Sequence, residues 1–321
     1  MYINAASTIS HQPTFQNAGF SRLLEPLENS SELISPNYKE YIDAALLRRM
    51  SKILRMSVAA AKDCLYQAEI EQPGAIIVGT GLGCLQDTER FLNNFLTIEG
   101  LLPPTSFIQS THNTIAGQIS LSIGNHGYNM THTQNTLSFE HALIDTELLL
   151  TEGNDQIIAG AADEYIPFLD EVAANLQPQT QHNLTSGASF FVISKVKSEK
   201  SLAVLKAVEA VGLVQDVDLA IDSFLSDNFL NVTEIDLILY ADLNVGSKNS
   251  IANKYFNEHY HANSKLINYT KLSGLYPTNS AFAMHYAIDK IQHHPELKRV
   301  LILNGLNKIN LGLILIESIE A

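Results

Sequence analysis

Six short, mostly apolar runs constrain this chain more than any other feature: Ala75 to Val78, Gln156 to Ala159, Phe190 to Ile193, Leu237 to Tyr240, Val300 to Leu303 and Leu313 to Ile316. A strand with one wet face alternates apolar and polar residues, whereas a continuous run marks a strand covered on both faces. Between these runs the apolar residues recur at helical spacing, from about Tyr38 to Leu65 and again from Gln86 to Phe95. Buried strands alternating with helices predict an α/β architecture. The first 36 residues, rich in Asn, Ser, Gln and Pro, predict an irregular or strand-like lead-in.

The pattern also repeats. A helix, a strand, a glycine and a second strand occur as His141 to Gly160 then Ser189 to Ile193, and again as Ser280 to Gly305 then Gly312 to Ile316. Ala75 to Gly83 matches Leu237 to Gly246 ahead of each unit, so the chain reads as two similar halves, 1–200 and 201–321, in one compact unit. With 321 residues and 45% hydrophobic content it can bury a large core.

The formal net charge of −14 argues against a nucleic-acid surface, which needs clustered Lys and Arg. Arg48, Arg49, Lys52 and Arg55 lie close together but read as the solvated face of an amphipathic helix. Two cysteines, Cys64 and Cys84, are too few for a disulfide framework, and the N-terminus has no basic start followed by a long apolar run. No stretch approaches the roughly 20 apolar residues that span a bilayer. A cytoplasmic protein is the expectation.

Gly79-Thr80-Gly81-Leu82-Gly83 follows a strand but lacks the later glycine and the acidic residue of a dinucleotide fingerprint, so it reads as close backbone packing. No cofactor is expected. His112, His126, His132 and His141 match no strong metal-ligand spacing, and no metal is expected either.

Thr105 to Gly124, Gly127-Tyr128-Asn129, Thr131 to Ala142 (THTQNTLSFEHA) and Gly153 to Asp163 together resemble the β-ketoacyl synthase branch of the thiolase superfamily. Arg48 to Leu65, Gly74 to Gly83 and Gly187 to Lys195 extend the resemblance over most of the first two hundred residues. Ile235 to Asp242, Asn268 to Gly274 and Arg299 to Glu317 sit where the family has its last three functional segments. The resemblance implies a thiolase-like fold of two βαβ-rich halves in αβαβα layers.

It also implies a site for decarboxylating condensation, which needs a thiolate to hold the acyl chain and two imidazoles to polarise the malonyl thioester. No cysteine stands in the nucleophile turn. Counting back from His141-Ala142 places Thr136 there, and aligning the Thr-rich turn places Gln134 there. Glutamine is no nucleophile, and a threonine hydroxyl needs a dedicated base. Asp242 stands where the first histidine is expected, and Leu275 follows the Lys271-Leu272-Ser273-Gly274 segment where the second is expected. Lys271 matches the family lysine, while the gating loop is reduced to Asn304-Gly305-Leu306-Asn307.

The resemblance therefore points to the family's chain length factors, ketosynthase-like subunits in which the cysteine is replaced, by glutamine in the type II polyketide members. Such a subunit pairs with a catalytic ketosynthase and shapes its acyl tunnel, with an acyl carrier protein reached through that partner. FIQSTHNT, YN and SFEHAL resemble subunits of aryl polyene and flexirubin-type systems. Phe107, Thr111 and His112 are the candidates for the end of the tunnel; as core residues, Phe107 and His112 would instead be buried. The alternatives are an acyltransferase or hydrolase using Ser138, Cys84 or Asp242, and a scaffold subunit. Ser138 also reads as a helix-start residue, and Cys84, at a helix N-terminus, either as an activated thiol or as a buried structural one.

Overall fold

The computed structural model describes residues 1–28, 31–176, 183–242, 265–306 and 309–320. Among the described residues ten strands form a single sheet in the order β3-β2-β4-β5-β1-β6-β10-β9-β7-β8. They are β1 (Tyr2–Ile9), β2 (Ala75–Gly79), β3 (Tyr128–His132), β4 (Gln156–Asp163), β5 (Gly187–Ser194), β6 (Ala203–Gly212), β7 (Leu237–Asp242), β8 (Lys265–Asn268), β9 (Arg299–Gly305) and β10 (Asn310–Glu317).

The order is a duplication. In the first five strands β2 runs parallel to β3 and β4, β4 is antiparallel to β5, and β5 is antiparallel to β1. In the last five β7 runs parallel to β8 and β9, β9 is antiparallel to β10, and β10 is antiparallel to β6. A short antiparallel seam, Tyr2 opposite Val204 and Ile3 opposite Ala203, joins the two sets.

The helices are α1 (Ala44–Leu47), α2 (Lys52–Ala68), α3 (Leu85–Thr97), α4 (Pro104–Gln109), α5 (Thr114–Ile123), α6 (Ser138–Thr151), α7 (Phe168–Leu176), α8 (Val217–Asp227), α9 (Thr270–Ser273) and α10 (Ser280–His293). Two of them, α6 and α10, pack against strands of both sets and form the central layer, while α2 and α5 cover the first set and α8 the second.

Side-chain alternation along each strand divides the core accordingly. On β4, Ile157, Ala159 and Ala161 join the central cluster and Ile158 and Ala162 the cluster under α2. On β9, Val300 and Ile302 face the centre while Leu301 and Leu303 face α8. Both faces of these strands are dry, which is why their sequence is continuously apolar.

The boundaries correct the sequence reading at one point. The helical spacing from Tyr38 resolves into α1 and α2 with a break between them, so Arg48 and Arg49 lie outside a helix. Lys52 is not on a solvated face: it is half-buried, and its Nζ donates to the Tyr165 carbonyl at 2.7 Å.

Candidate functional site

β3 leads into the turn that carries Gln134 to Leu137, and α6 begins at Ser138. Asn135 adopts φ 55, a left-handed conformation that costs a non-glycine residue energy unless its surroundings impose it. Here they do. Ser138 Oγ donates to the Thr80 carbonyl at 2.9 Å and to the Asn135 carbonyl at 2.7 Å, and Asn304 Nδ2 donates to the Thr136 carbonyl at 2.7 Å. Gly79 lies so close that a Cβ there would come within 2.4 Å of the Ser138 carbonyl oxygen. The glycines after β2 thus let the backbone at the end of that strand touch the start of α6.

Asp163, at the end of β4, ties this corner together. Wholly buried, it accepts from Thr80 Oγ1 at 3.0 Å, the Gly81 and Leu82 amides at 3.0 and 2.9 Å, and the Thr278 amide and hydroxyl at 3.1 and 2.7 Å. Thr80 to Leu82 and Thr278 come from different halves of the sequence, so one carboxylate fixes both.

The pinned turn borders a cavity of about 310 Å³. Thr136, Leu275 and Leu306 line it together with Leu82, Tyr276 and Glu164. Three of the positions expected to differ from a condensing site therefore meet on one cavity. Gln134 and Asn135 are exposed and do not line it. The Thr136 hydroxyl has no partner. Lys271, on α9, is exposed and is not among the lining residues. Asp242 ends β7, but its side chain lies outside the described residues, as do Gly246 and Asn307.

The cavity's titratable groups are Glu164 and Tyr276. Burial pushes Glu164 up to about 7, against the opposing effects of the Gln86 amide at 2.9 Å, nearby Lys52 and the Ile53 amide. Burial also raises the Tyr276 phenol. Among the described residues no thiol and no imidazole reaches this space.

The other proposed nucleophiles are engaged or suppressed. The Ser138 hydroxyl is engaged with two backbone carbonyls and, at the first position of α6, makes no capping bond to a backbone amide. Cys84 stands at the N-terminus of α3, but burial raises its thiol, reinforced by Glu164 and Asp87, which agrees with the reading of a buried structural thiol rather than an activated one. Three negative or apolar influences outweigh one helix end. Cys64 is also buried, and its thiol contacts the Phe190 carbonyl at 3.3 Å.

Phe107, Thr111 and His112 lie on and just after α4. Phe107 is 58% exposed and its ring sits 5.5 Å from that of Phe91. Thr111 Oγ1 donates to the Ile108 carbonyl at 3.0 Å, and exposed His112 stacks over Gly83, whose φ of +66 and lack of a Cβ make room for the ring. The alternative of core positions for Phe107 and His112 does not hold. His132 pairs with Asp145 at 2.9 Å, and His141 stacks against it.

Around them α3, α4, α5 and the loop between α3 and α4 leave Phe95, Leu96, Leu101, Ile108 and Leu121 exposed, and the edge of β3, unpaired among the described residues, presents Tyr128 and Met130. An apolar surface joined to an unpaired sheet edge is the usual mark of an interaction face.

The model for the β-ketoacyl synthase N-terminal domain matches residues 28–210, more than half of the chain. The chain belongs to the β-ketoacyl synthase family. No curated protein sequence matches it. Its fold is similar to that of the ishigamide ketosynthase/chain length factor, with TM-score 0.79 and 13% identity over 99% of both chains. It is also similar to a ketosynthase in complex with its chain length factor from Xenorhabdus doucetiae, with TM-score 0.77 and 13% identity over 99% of this chain and 97% of that one. A type II polyketide acyl carrier protein in complex with its ketosynthase gives TM-score 0.76 and 14% identity over 99% of each. This family member therefore has the thiolase-like fold, and among its described residues no helix is long and apolar enough to cross a membrane.

The buried acids Glu140, Asp163 and Glu164 escaped the reading of the sequence as site residues, and Asn304 was read only as part of the reduced gating loop. The only signal was an acidic pair closing an otherwise apolar strand, Ala159 to Glu164.

Proposed function

We propose that this chain is a non-catalytic, chain length factor-like subunit that pairs with a catalytic ketosynthase and shapes its acyl tunnel. One observation carries the reading: Thr136, Leu275 and Leu306 converge on a cavity that no thiol or imidazole of the described residues enters. Such a space binds apolar groups but has no nucleophile for a thioester and no imidazole to stabilise an enolate.

The exposed apolar surface on α3 to α5 and the open edge of β3 support docking of a partner of the same fold. The likeness to complexes of ketosynthases with chain length factors supports the same reading. Phe107, Thr111 and His112, on that surface, form the part of this subunit that closes the partner's tunnel. The partner also receives the acyl carrier protein, since a chain of formal charge −14 repels an acidic carrier. Polyketide or polyene assembly of the aryl polyene and flexirubin type is the setting, in the cytoplasm, with no cofactor on this subunit. Residues 1–200 and 201–321 act as two halves of one compact unit.

The test is to co-express the tagged chain with the ketosynthase encoded beside it, purify on the tag, and measure malonyl-dependent elongation by the pair and by each subunit. One-to-one copurification, with activity lost when the partner's cysteine is replaced, is the expected result. Elongation or acyl hydrolysis by this chain alone would overturn the reading in favour of a repurposed enzyme. Product length unchanged by a bulky residue at His112 or Phe107 would favour a scaffold.

A further inference from the structure

A second cavity, about 510 Å³, opens where the segment after β1 meets α2 and α10. It belongs neither to the degenerate site nor to the apolar face, and its mostly apolar wall carries several hydrogen-bond acceptors. Asp63 on α2 is buried and accepts from Ser7 Oγ at 2.6 Å, Gln16 Nε2 at 2.7 Å and Gln67 Nε2 at 2.8 Å. Gln16 is held over it in a left-handed backbone conformation, φ 50. Asp289 on α10 accepts the Gly19 and Ser21 amides at 2.7 and 3.0 Å.

Every side-chain amide of this wall gives at least one N–H to another group. Besides Gln16 and Gln67, Asn17 Nδ2 donates to the Pro13 carbonyl at 2.6 Å and Gln292 Nε2 to the Leu202 carbonyl. Their four side-chain carbonyl oxygens have no hydrogen-bond partner among the described residues.

His285 completes the pattern. Thr8 Oγ1 gives its one proton to Ser189 Oγ at 2.9 Å. The 2.8 Å contact between His285 Nδ1 and Thr8 Oγ1 therefore requires the proton on Nδ1. Nε2 is left as a lone-pair acceptor without a partner, on a side chain that lines the cavity. Burial pushes this imidazole down to about 4, which keeps it neutral. His293 contributes no free donor from Nδ1, which sits 2.8 Å from the Asp289 carbonyl. At the rim stands the ring of Tyr66, 82% exposed.

A pocket of acceptors and two carboxylates, with an aromatic face at its mouth, is complementary to a multivalent hydrogen-bond donor of positive charge. At about 30 Å³ per heavy atom the space holds about 17 of them. We propose that this cavity binds a small organic cation with primary ammonium or guanidinium groups, a linear polyamine being the form its size suits. The acidic surface raises the local concentration of such a ligand.

The test is calorimetric titration of the full-length chain with spermidine, with octane-1,8-diol as an uncharged control of similar length. One-to-one saturable binding of spermidine, and none of the diol, is expected. His285→Phe removes the open acceptor and is expected to weaken binding about tenfold or more. Gln292→Lys, at an exposed position that tolerates change, sets a tethered ammonium in the cavity and is expected to block spermidine while raising the melting temperature. Absence of saturable binding overturns the proposal. So does equal binding of the diol, or spermidine binding that Gln292→Lys leaves unchanged, which would place the amine elsewhere on the acidic surface.

Discussion

Replacing Glu140 by glutamine should make this protein more stable at alkaline pH, although Glu140 lies wholly inside the central layer. The side chain accepts a close hydrogen bond from Asn304 Nδ2 at 2.8 Å, and its other oxygen has no well-formed partner among the described residues. β10 passes so close that a Cβ at Gly312 would come within 2.6 Å of the carboxyl. Desolvation outweighs the opposing effects of Asn304, of the residue's own backbone amide and of the Ser280 hydroxyl, and pushes Glu140 from the ordinary 4.5 up to about 7. The folded state thus holds the proton more tightly than the unfolded chain, so stability is highest below pH 4.5, falls as pH rises through about 7, and levels off above it.

At about 1.4 kcal/mol per pH unit, that interval comes to about 3 kcal/mol. Glutamine has the same shape, keeps an acceptor for Asn304 and never ionises, so above about pH 8 the variant should be more stable by about that amount. With an unfolding entropy of about 2.1 cal/mol/K per residue, this raises the melting temperature by about 4 °C. Thermal unfolding across pH measures it, with the two proteins converging in acid. Glu164, also near 7, contributes a pH dependence common to both proteins, so the difference between them isolates Glu140. A variant that melts lower than the parent at alkaline pH would show that the ionised carboxylate is a net stabilising partner, and the desolvation argument would fail.

Asp163→Ala strips the acceptor from three backbone amides and two hydroxyls, and should lower stability by about 3–5 kcal/mol in urea titrations; a loss under about 1 kcal/mol would show that water replaces the carboxylate. Neither Cys64 nor Cys84 should react with a disulfide reagent in the native state, because both are buried and their thiols are raised. Rapid native labelling of Cys84 would revive it as a nucleophile. Thr136→Cys should restore a thiol to the cavity without restoring elongation by the isolated chain, because Leu275 still supplies no proton donor; measurable malonyl-dependent elongation would refute the assignment of the site as incomplete.

The α/β class, the buried strands and the duplicated order were legible because burial on both faces of a strand writes itself into the chain as a continuous apolar run. Val300 to Leu303 and Leu313 to Ile316 show this, one side chain inward and the next outward. The absence of cysteine from the turn before α6 was equally plain. Sequence alone could not choose between Gln134 and Thr136, because a two-residue shift of alignment within one turn leaves composition and spacing almost unchanged. In the folded chain Thr136 lines the cavity beside the pinned backbone at Asn135, and Gln134 is exposed to solvent. Nor did sequence reveal that Asp163, Glu164 and Glu140 are buried, or that Asp63, Asp289 and His285 share one cavity. Those groups come from segments far apart in the chain, and both their partners and their loss of water arise only when the layers close.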